Sequence, residues 1–588
     1  MPPFPLTPAA RPTPGRAPVD ITLAEALWAA VARAGVEFVP GVPGDYALTL
    51  LDALEASPHL RWVGGAGELG AGFVADGLAR AAGLGVVVTT WGAGELVAAS
   101  AAAGWTAEDV AVLHVVGAPS SDRLASGAPV HHSLGDGDPD RWTRVAVETT
   151  GRVHVVDAGD PARALRAALR SWAVDRRPTQ LVVPRDLVAS LVPADVVRAV
   201  DGKAATTAPE ARVAAASLVT RFVASAPDAV LVPGHLVLRR GLGDVPRQLA
   251  DLGVDVAPLP SAHAVVDAGH PHLLGTWQGR LSGPGVRDAV ESCRGRVLLG
   301  AVLTDVATGG FSHDLGHGET LVVGRDRTSW RDEHVAVDVG TAVDVLVEAL
   351  RGRRRPDVRP TARRALSRVP SDAGDGRDRQ GDPVPAGPVA PDGFVRQRDL
   401  WHAIGRTVPS GWRVVVDPGT ATAGALATRW APDTVLETAT TWSAIGFALP
   451  AAVGAALGDP GRRVLAVVGD GAAQVTVQEL ALVSRAGARP VLVLVDNGGY
   501  TIERLLGEPG AAHHDVPRWD WPAVLRGIAG PGLHVTVVED AAGVEDALRA
   551  AVGRADRASV IVARARPLDA PESLRRVAAA MRTSTVPS

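Results

Sequence analysis

A chain of 588 residues is too long for one hydrophobic core and points to three or four domains. Its balance of 46% hydrophobic and 21% charged residues is globular, and a net charge of −5 leaves no electrostatic footprint for nucleic acid or an anionic membrane. One cysteine, Cys293, excludes an intrachain disulfide and a multi-cysteine metal site, and one lysine, Lys203, in a polar Ala/Thr-rich stretch, excludes a Walker A loop and argues against Schiff-base or pyridoxal chemistry.

Residues 1–19 are Pro-rich, lack the apolar core of a signal peptide, and read as a flexible tail. From residue 20 helical periodicity alternates with short Val/Leu runs: a helix over 22–34 and strands over 36–39, 86–90, 110–116 and 180–183. Continuous apolar strands between helices predict a parallel sheet covered on both faces, here a domain over 20–195. A second domain, 208–351, has strands over 229–232, 297–299 and 320–323. Residues 352–394, Arg-rich and then Asp/Gly/Pro-rich without periodicity, read as a linker. A third domain, 395–570, has strands over 413–416, 464–468, 490–495 and 559–563, and 571–588 reads as a C-terminal tail, helical before it frays. The expected fold class is α/β, with three doubly wound parallel-sheet domains. The longest apolar run, 444–458, is interrupted by Pro450 and too short to span a bilayer, so the expectation is a cytoplasmic protein without a membrane partner.

Gly-Asp-Gly occurs at 135–137, 374–376 and 469–471, but only Gly469-Asp470-Gly471 follows a strong strand and opens a helical stretch. That topology holds a diphosphate beyond the carboxyl edge of a parallel sheet, where glycines allow close backbone approach and a helix N-terminus favours anions. Asp470 supplies a hard oxygen for Mg²⁺. The next strand ends in Asp496-Asn497-Gly498-Gly499, adding an amide oxygen and a main-chain carbonyl. Alone, Gly-Asp-Gly is more often a turn than a ligand; joined to Asn-Gly-Gly one β-α-β unit later, it gains specificity.

Residues 469–499 resemble the thiamine-diphosphate fingerprint, and Gly499-Tyr500-Thr501-Ile502-Glu503 resembles the pyruvate and indolepyruvate decarboxylase branch of that family. The resemblance implies Mg²⁺ on Asp470, the Asn497 side chain and the Gly499 carbonyl. It places Gly471, Ala472, Tyr500, Thr501 and Ile502 at the cofactor, with Ala472 standing where serine is common. Glu68, taken alone, is a first-turn acid serving a helix dipole. Its surroundings, Gly41-Val42-Pro43-Gly44-Asp45-Tyr46, Ala75-Asp76-Gly77-Leu78-Ala79-Arg80 and Thr89-Thr90-Trp91-Gly92-Ala93-Gly94-Glu95-Leu96, resemble the family's pyrimidine-binding domain. That makes Glu68 the activating glutamate, whose proton exchange with the aminopyrimidine leads to the ylid. Trp442-Ser443-Ala444-Ile445-Gly446 resembles the segment that bends the cofactor, with Ile445 as wedge and Ser443 contributing its carbonyl; a core isoleucine is the plain alternative. Thr420 is carried over from Asp417-Pro418-Gly419-Thr420, which resembles a pyrimidine-contacting loop.

What separates reactions on this cofactor is proton handling, which suits His paired with carboxylates. Val130-His131-His132-Ser133 resembles the family's paired-histidine loop, and Asp45, His131, His132 and Glu503 fill all four expected positions. Glu503 is assigned to decarboxylation and protonation at the reacting carbon, the other three to substrate placement and product release. A second pair, His513-His514, reads as a surface or gating loop. In the middle domain, mostly structural in the family, Gly275-Thr276-Trp277-Gln278-Gly279 and the segment 303–311 resemble indolepyruvate and phenylpyruvate decarboxylases. With only 7 Phe and 2 Tyr, although Trp519 and Trp521 could fill space, an aromatic or branched 2-oxo acid is expected as substrate; the alternatives are a pyruvate decarboxylase, a carboligase of the acetolactate-synthase type, and a cofactor-binding scaffold without turnover. The resemblance also implies a cofactor shared between the pyrimidine domain of one subunit and the diphosphate domain of another, hence a homodimer as minimal unit and commonly a homotetramer.

Overall fold

The computed structural model describes residues 20–202, 207–351 and 393–584; the tail over 1–19, Lys203 and nearly all of the 352–394 linker lie outside them. The first domain is a wholly parallel six-stranded sheet in the spatial order Arg61–Gly64, Phe38–Gly41, Gly85–Thr90, Val112–Ala118, Thr179–Pro184, Val153–Val155. Gly85–Thr90 and Val112–Ala118 are buried along their whole length, which is why they read as largely apolar runs; the one ring that interrupts the second, His114, has Nε2 2.8 Å from the Thr89 hydroxyl. The third domain repeats the plan: Val435–Glu437, Arg413–Val416, Val464–Gly469, Val491–Asp496, Ala558–Arg564, Leu533–Val538, again all parallel. Counted along the chain, both sheets have the order 2-1-3-4-6-5 once the separate antiparallel pair Asp20–Thr22 and Leu191–Pro193 is set aside.

The middle domain departs from the expected purely parallel sheet. Val230–Pro233, Gly295–Leu299 and Glu319–Val323 are parallel, but Arg327–Trp330 and Glu333–Ala336 extend the edge antiparallel. The last two strands are joined only by Arg331 and Asp332, with Arg331 at φ +55°, and so short a connection can join only antiparallel neighbours. The segment expected as a C-terminal tail forms the helix Glu572–Ser584.

The outer domains share a core. Helix Glu68–Ala82 lies against helix Ala448–Gly458, with Phe73 edge-on to Phe447 at 5.7 Å between ring centroids. The backbones approach so closely that a Cβ on Gly77 would overlap the Ala451 carbonyl, and one on Gly454 the Val74 carbonyl. Beside this contact Glu437 is buried among Arg80 (3.2 Å), Arg239 (2.9 Å) and Arg413 (2.7 Å), joining all three domains.

Candidate active site

Adjacent strands of the third domain, Arg413–Val416, Val464–Gly469 and Val491–Asp496, end at one cavity of about 360 Å³, in the crevice where open α/β sheets bind ligands. Each strand end delivers a glycine-bearing turn. Gly471 leaves room for the Tyr500 ring, and Gly499, at φ +142°, lies where a Cβ would overlap the His514 carbonyl.

Asp470 is 2% exposed, and burial pushes its carboxyl up to about 6 even though backbone N–H groups of Gly498, Gly471 and Asn497 favour the charged form. Oδ2 accepts from Asn497 N at 3.1 Å and from Gly498 N. The Thr501 hydroxyl donates its one proton to the Pro567 carbonyl (2.9 Å), so it accepts from Asn497 Nδ2 (2.8 Å). This orientation turns the Asn497 oxygen toward Asp470 Oδ1 at 3.1 Å and the Gly499 carbonyl at 2.8 Å. Turning the amide over would place N–H donors there, but it would take the Thr501 proton from Pro567. We favour the first orientation, in which three oxygens converge without a proton between them. A divalent cation removes that conflict: with Mg²⁺–oxygen bonds of about 2.0–2.1 Å, neighbouring ligands of an octahedron stand about 3 Å apart. The donor set of one carboxylate, one amide and one carbonyl therefore fits Mg²⁺ coordinated partly by phosphate oxygens.

Every cofactor residue expected from the C-terminal domain lines this cavity, Thr420, Ser443 and Ile445 included, and so does Glu503. Ile445 is 39% exposed, against the core alternative. Ser443 takes φ +55°, a left-handed conformation in which glycine would be unstrained. Sequence reasoning missed two walls. Gln278, Leu281, Asp305 and Val306 come from the middle domain, and Leu574 and Val577 from the C-terminal helix. Trp519 and Trp521 do not line it, and Trp521 is buried in the core shared by the outer domains. His513 is exposed, but His514 is buried and its carbonyl accepts from Tyr500 N at 2.9 Å, so that residue braces the Gly499–Tyr500 turn rather than forming part of a surface loop.

The remaining expected residues lie together on the N-terminal domain, and none lines the cavity. His131 Nε2 is 3.1 Å from Asp45 Oδ1, Nδ1 is 3.0 Å from the Tyr46 hydroxyl, and the His131 and His132 ring centroids are 4.6 Å apart. His132, at φ +66°, has Nδ1 3.1 Å from the Trp91 carbonyl. Glu68 opens its helix from the first turn, beside Gly94, whose missing Cβ leaves room for the carboxyl.

Residues 21–138 match the family described as thiamine pyrophosphate enzyme, N-terminal TPP binding domain, and residues 417–563 match its C-terminal TPP binding domain. An alpha-keto-acid decarboxylase of Mycobacterium ulcerans (strain Agy99) is 34% identical over 564 residues, 94% of this chain and 95% of its own. The chain belongs to the thiamine-diphosphate-dependent 2-oxo acid decarboxylase family. Relatives of the same name from Mycobacterium avium (strain 104), 34% identical over 91% of this chain and 92% of theirs, and Mycobacterium tuberculosis (strain ATCC 25618 / H37Rv), 33% identical over 91% and 93%, extend the match through the middle domain. As a member of this decarboxylase family the chain is a carboxy-lyase that binds thiamine diphosphate. Among the described residues, no helix of this decarboxylase is long and apolar enough to cross a membrane.

Proposed function

We propose that this decarboxylase converts an aromatic or branched 2-oxo acid to aldehyde and CO₂ with thiamine diphosphate and Mg²⁺, at a site completed by a second copy of the chain. The observation that carries this is a split: Asp470, Asn497, Gly499, Ile445 and Glu503 surround the cavity, whereas Glu68, Asp45, His131 and His132 form a separate group on the N-terminal domain. Both groups are flanked by exposed apolar side chains, Leu96, Val97 and Leu134 on one side and Trp442 and Ile445 on the other, surfaces suited to covering each other across a dimer.

Bound thiamine diphosphate supplies a nucleophilic carbon and an electron sink. Glu68 would exchange a proton with the cofactor's aminopyrimidine, and Ile445 would press against the bound cofactor. Asp470, Asn497 and the Gly499 carbonyl would hold Mg²⁺. Glu503 would supply the proton that the reacting carbon takes in exchange for CO₂. Asp45, His131 and His132 would orient the substrate carboxylate and take up the hydroxyl proton on aldehyde release. The preference for a large substrate rests on the wall: Val306, Leu281, Leu506 and Leu574 are aliphatic, and Tyr500 is the single aromatic residue among the described lining residues.

Complementation tests the shared site. Glu68→Gln and Asp470→Ala chains, each inactive alone, regain aldehyde release when co-expressed, because one site of each mixed dimer pairs an intact Glu68 with an intact Asp470. Absence of any recovery in verified mixed dimers would contradict a site built from two chains.

A further inference from the structure

The loop that delivers Glu68 is gripped by the segment that follows the Asp470 turn. Gly67, the N-cap of helix Glu68–Ala82, has no side chain to cap the helix's first N–H groups. Glu479, fully buried on the short turn Val477–Leu480 of the other domain, does what an acid at the third helical position does in a capping box and serves the N-cap's own N–H: Oε1 accepts from Gly67 N at 3.2 Å and Oε2 from the preceding Ala66 N at 3.3 Å. Six residues on, Arg485 Nη1 donates to the Gly64 carbonyl at 3.2 Å. Two donors and one acceptor of the loop are thus satisfied by side chains of the diphosphate-binding domain. Gly70 makes the space, since a Cβ there would overlap the Glu479 carboxyl. The exchange is mutual, because Glu108 of the N-terminal domain accepts from Thr441 N at 2.7 Å, just ahead of Ile445.

We propose that Glu479 is a positioning residue for Glu68, a cross-domain helix cap that fixes the first turn of the Glu68 helix. This rests on the reading of Glu68 as the residue that activates the cofactor. A buried acid with two backbone donors and, among the described residues, no cation paired with it is costly to maintain for packing alone; burial pushes Glu479 up to about 7 against those two hydrogen bonds. Its geometry suits a device that aims another carboxyl.

The test is Glu479→Gln in the full-length protein. The amide keeps the volume but offers one acceptor to two N–H groups. Amide hydrogen exchange over residues 66–69 should accelerate in the cofactor-free chain. In the holoenzyme, deuterium exchange at the cofactor's thiazolium carbon should slow on the order of tenfold, the worth of one hydrogen bond to a charged group. Mg²⁺-dependent cofactor affinity, set at the Asp470 end, should stay unchanged. Glu479→Asp, with its shorter reach, should show the same order of effects should the glutamine variant not fold. Unchanged amide protection and unchanged carbon exchange, in a background where Glu68→Gln abolishes that exchange, would overturn the positioning role. Unchanged exchange in Glu68→Gln itself would instead overturn the reading of Glu68, and this proposal with it.

Discussion

The Tyr46 hydroxyl stands 3.0 Å from His131 Nδ1, and the opposite ring nitrogen stands 3.1 Å from Asp45 Oδ1. An ionised Asp45 only accepts, so Nε2 carries the proton of the neutral ring and Nδ1 accepts from Tyr46. The phenol also stacks on the imidazole, 4.6 Å between centroids, and burial together with the Asp45 charge pushes its pKa up, keeping it a donor. Tyr46→Phe should leave the ring without its Nδ1 donor. Ring-nitrogen chemical shifts should change from a single Nε2–H tautomer to a mixture, and turnover should fall on the order of tenfold with cofactor affinity unchanged. A single tautomer retained in the variant would contradict this role.

Thr501 hydrogen-bonds Asn497 without being one of the converging oxygens, and it fixes which face of the amide turns toward Asp470. Thr501→Val removes that constraint. Mg²⁺ affinity, titrated in the presence of thiamine diphosphate, should weaken about 10- to 100-fold, as for other groups that orient a metal ligand. Unaltered affinity would mean that the amide holds its orientation without the hydroxyl.

Gly454 sits where helix Ala448–Gly458 touches the backbone of helix Glu68–Ala82, and a Cβ would overlap the Val74 carbonyl. Gly454→Ala should cost about 1–3 kcal/mol, the usual range for overpacking. Gly527, within helix Trp521–Ala529, has nothing within 4 Å of its would-be Cβ. Gly527→Ala should stabilise by up to about 1 kcal/mol through helix propensity. Thermal unfolding of the two variants should therefore move in opposite directions, and equal shifts would refute the close-contact account.

Asp417 is fully buried and accepts from Phe447 N and Ala448 N, both at 3.2 Å, as the cap of helix Ala448–Gly458; burial pushes it up to about 7. The folded protein thus holds this proton more tightly than the unfolded chain does. Its contribution to stability is full below the ordinary aspartate pKa of about 3.9 and is lost as pH rises through about 7. Relative to Asp417→Asn, the wild type should be more stable near pH 5 than near pH 8 in urea unfolding. A difference constant across that interval would show that Asp417 keeps its charge in the fold.

Strands buried on both faces, such as Val464–Gly469 and Val491–Asp496, were legible because a covered parallel sheet leaves continuous apolar runs. Edge strands of three residues, Val153–Val155 and Val435–Glu437, carry too little periodicity to be seen. Asp470 and Asn497 could be paired from the sequence because they follow neighbouring parallel strands, so linear order carries the spatial relation. Glu479 could not, since its contact with Gly67 spans 412 residues and nothing in its own surroundings marks a cap. The middle-domain wall at Leu281 and Val306 was hidden for the same reason.

The reaction itself is tested most directly by product analysis with thiamine diphosphate and Mg²⁺, offering indole-3-pyruvate, phenylpyruvate, a branched 2-oxo acid and pyruvate separately. The account predicts cofactor-dependent CO₂ with free aldehyde from the large acids and little from pyruvate. A preference for pyruvate would overturn the substrate proposal while keeping the reaction; acyloin in place of aldehyde, or no product from a fully loaded protein, would contradict the proposed decarboxylation to free aldehyde.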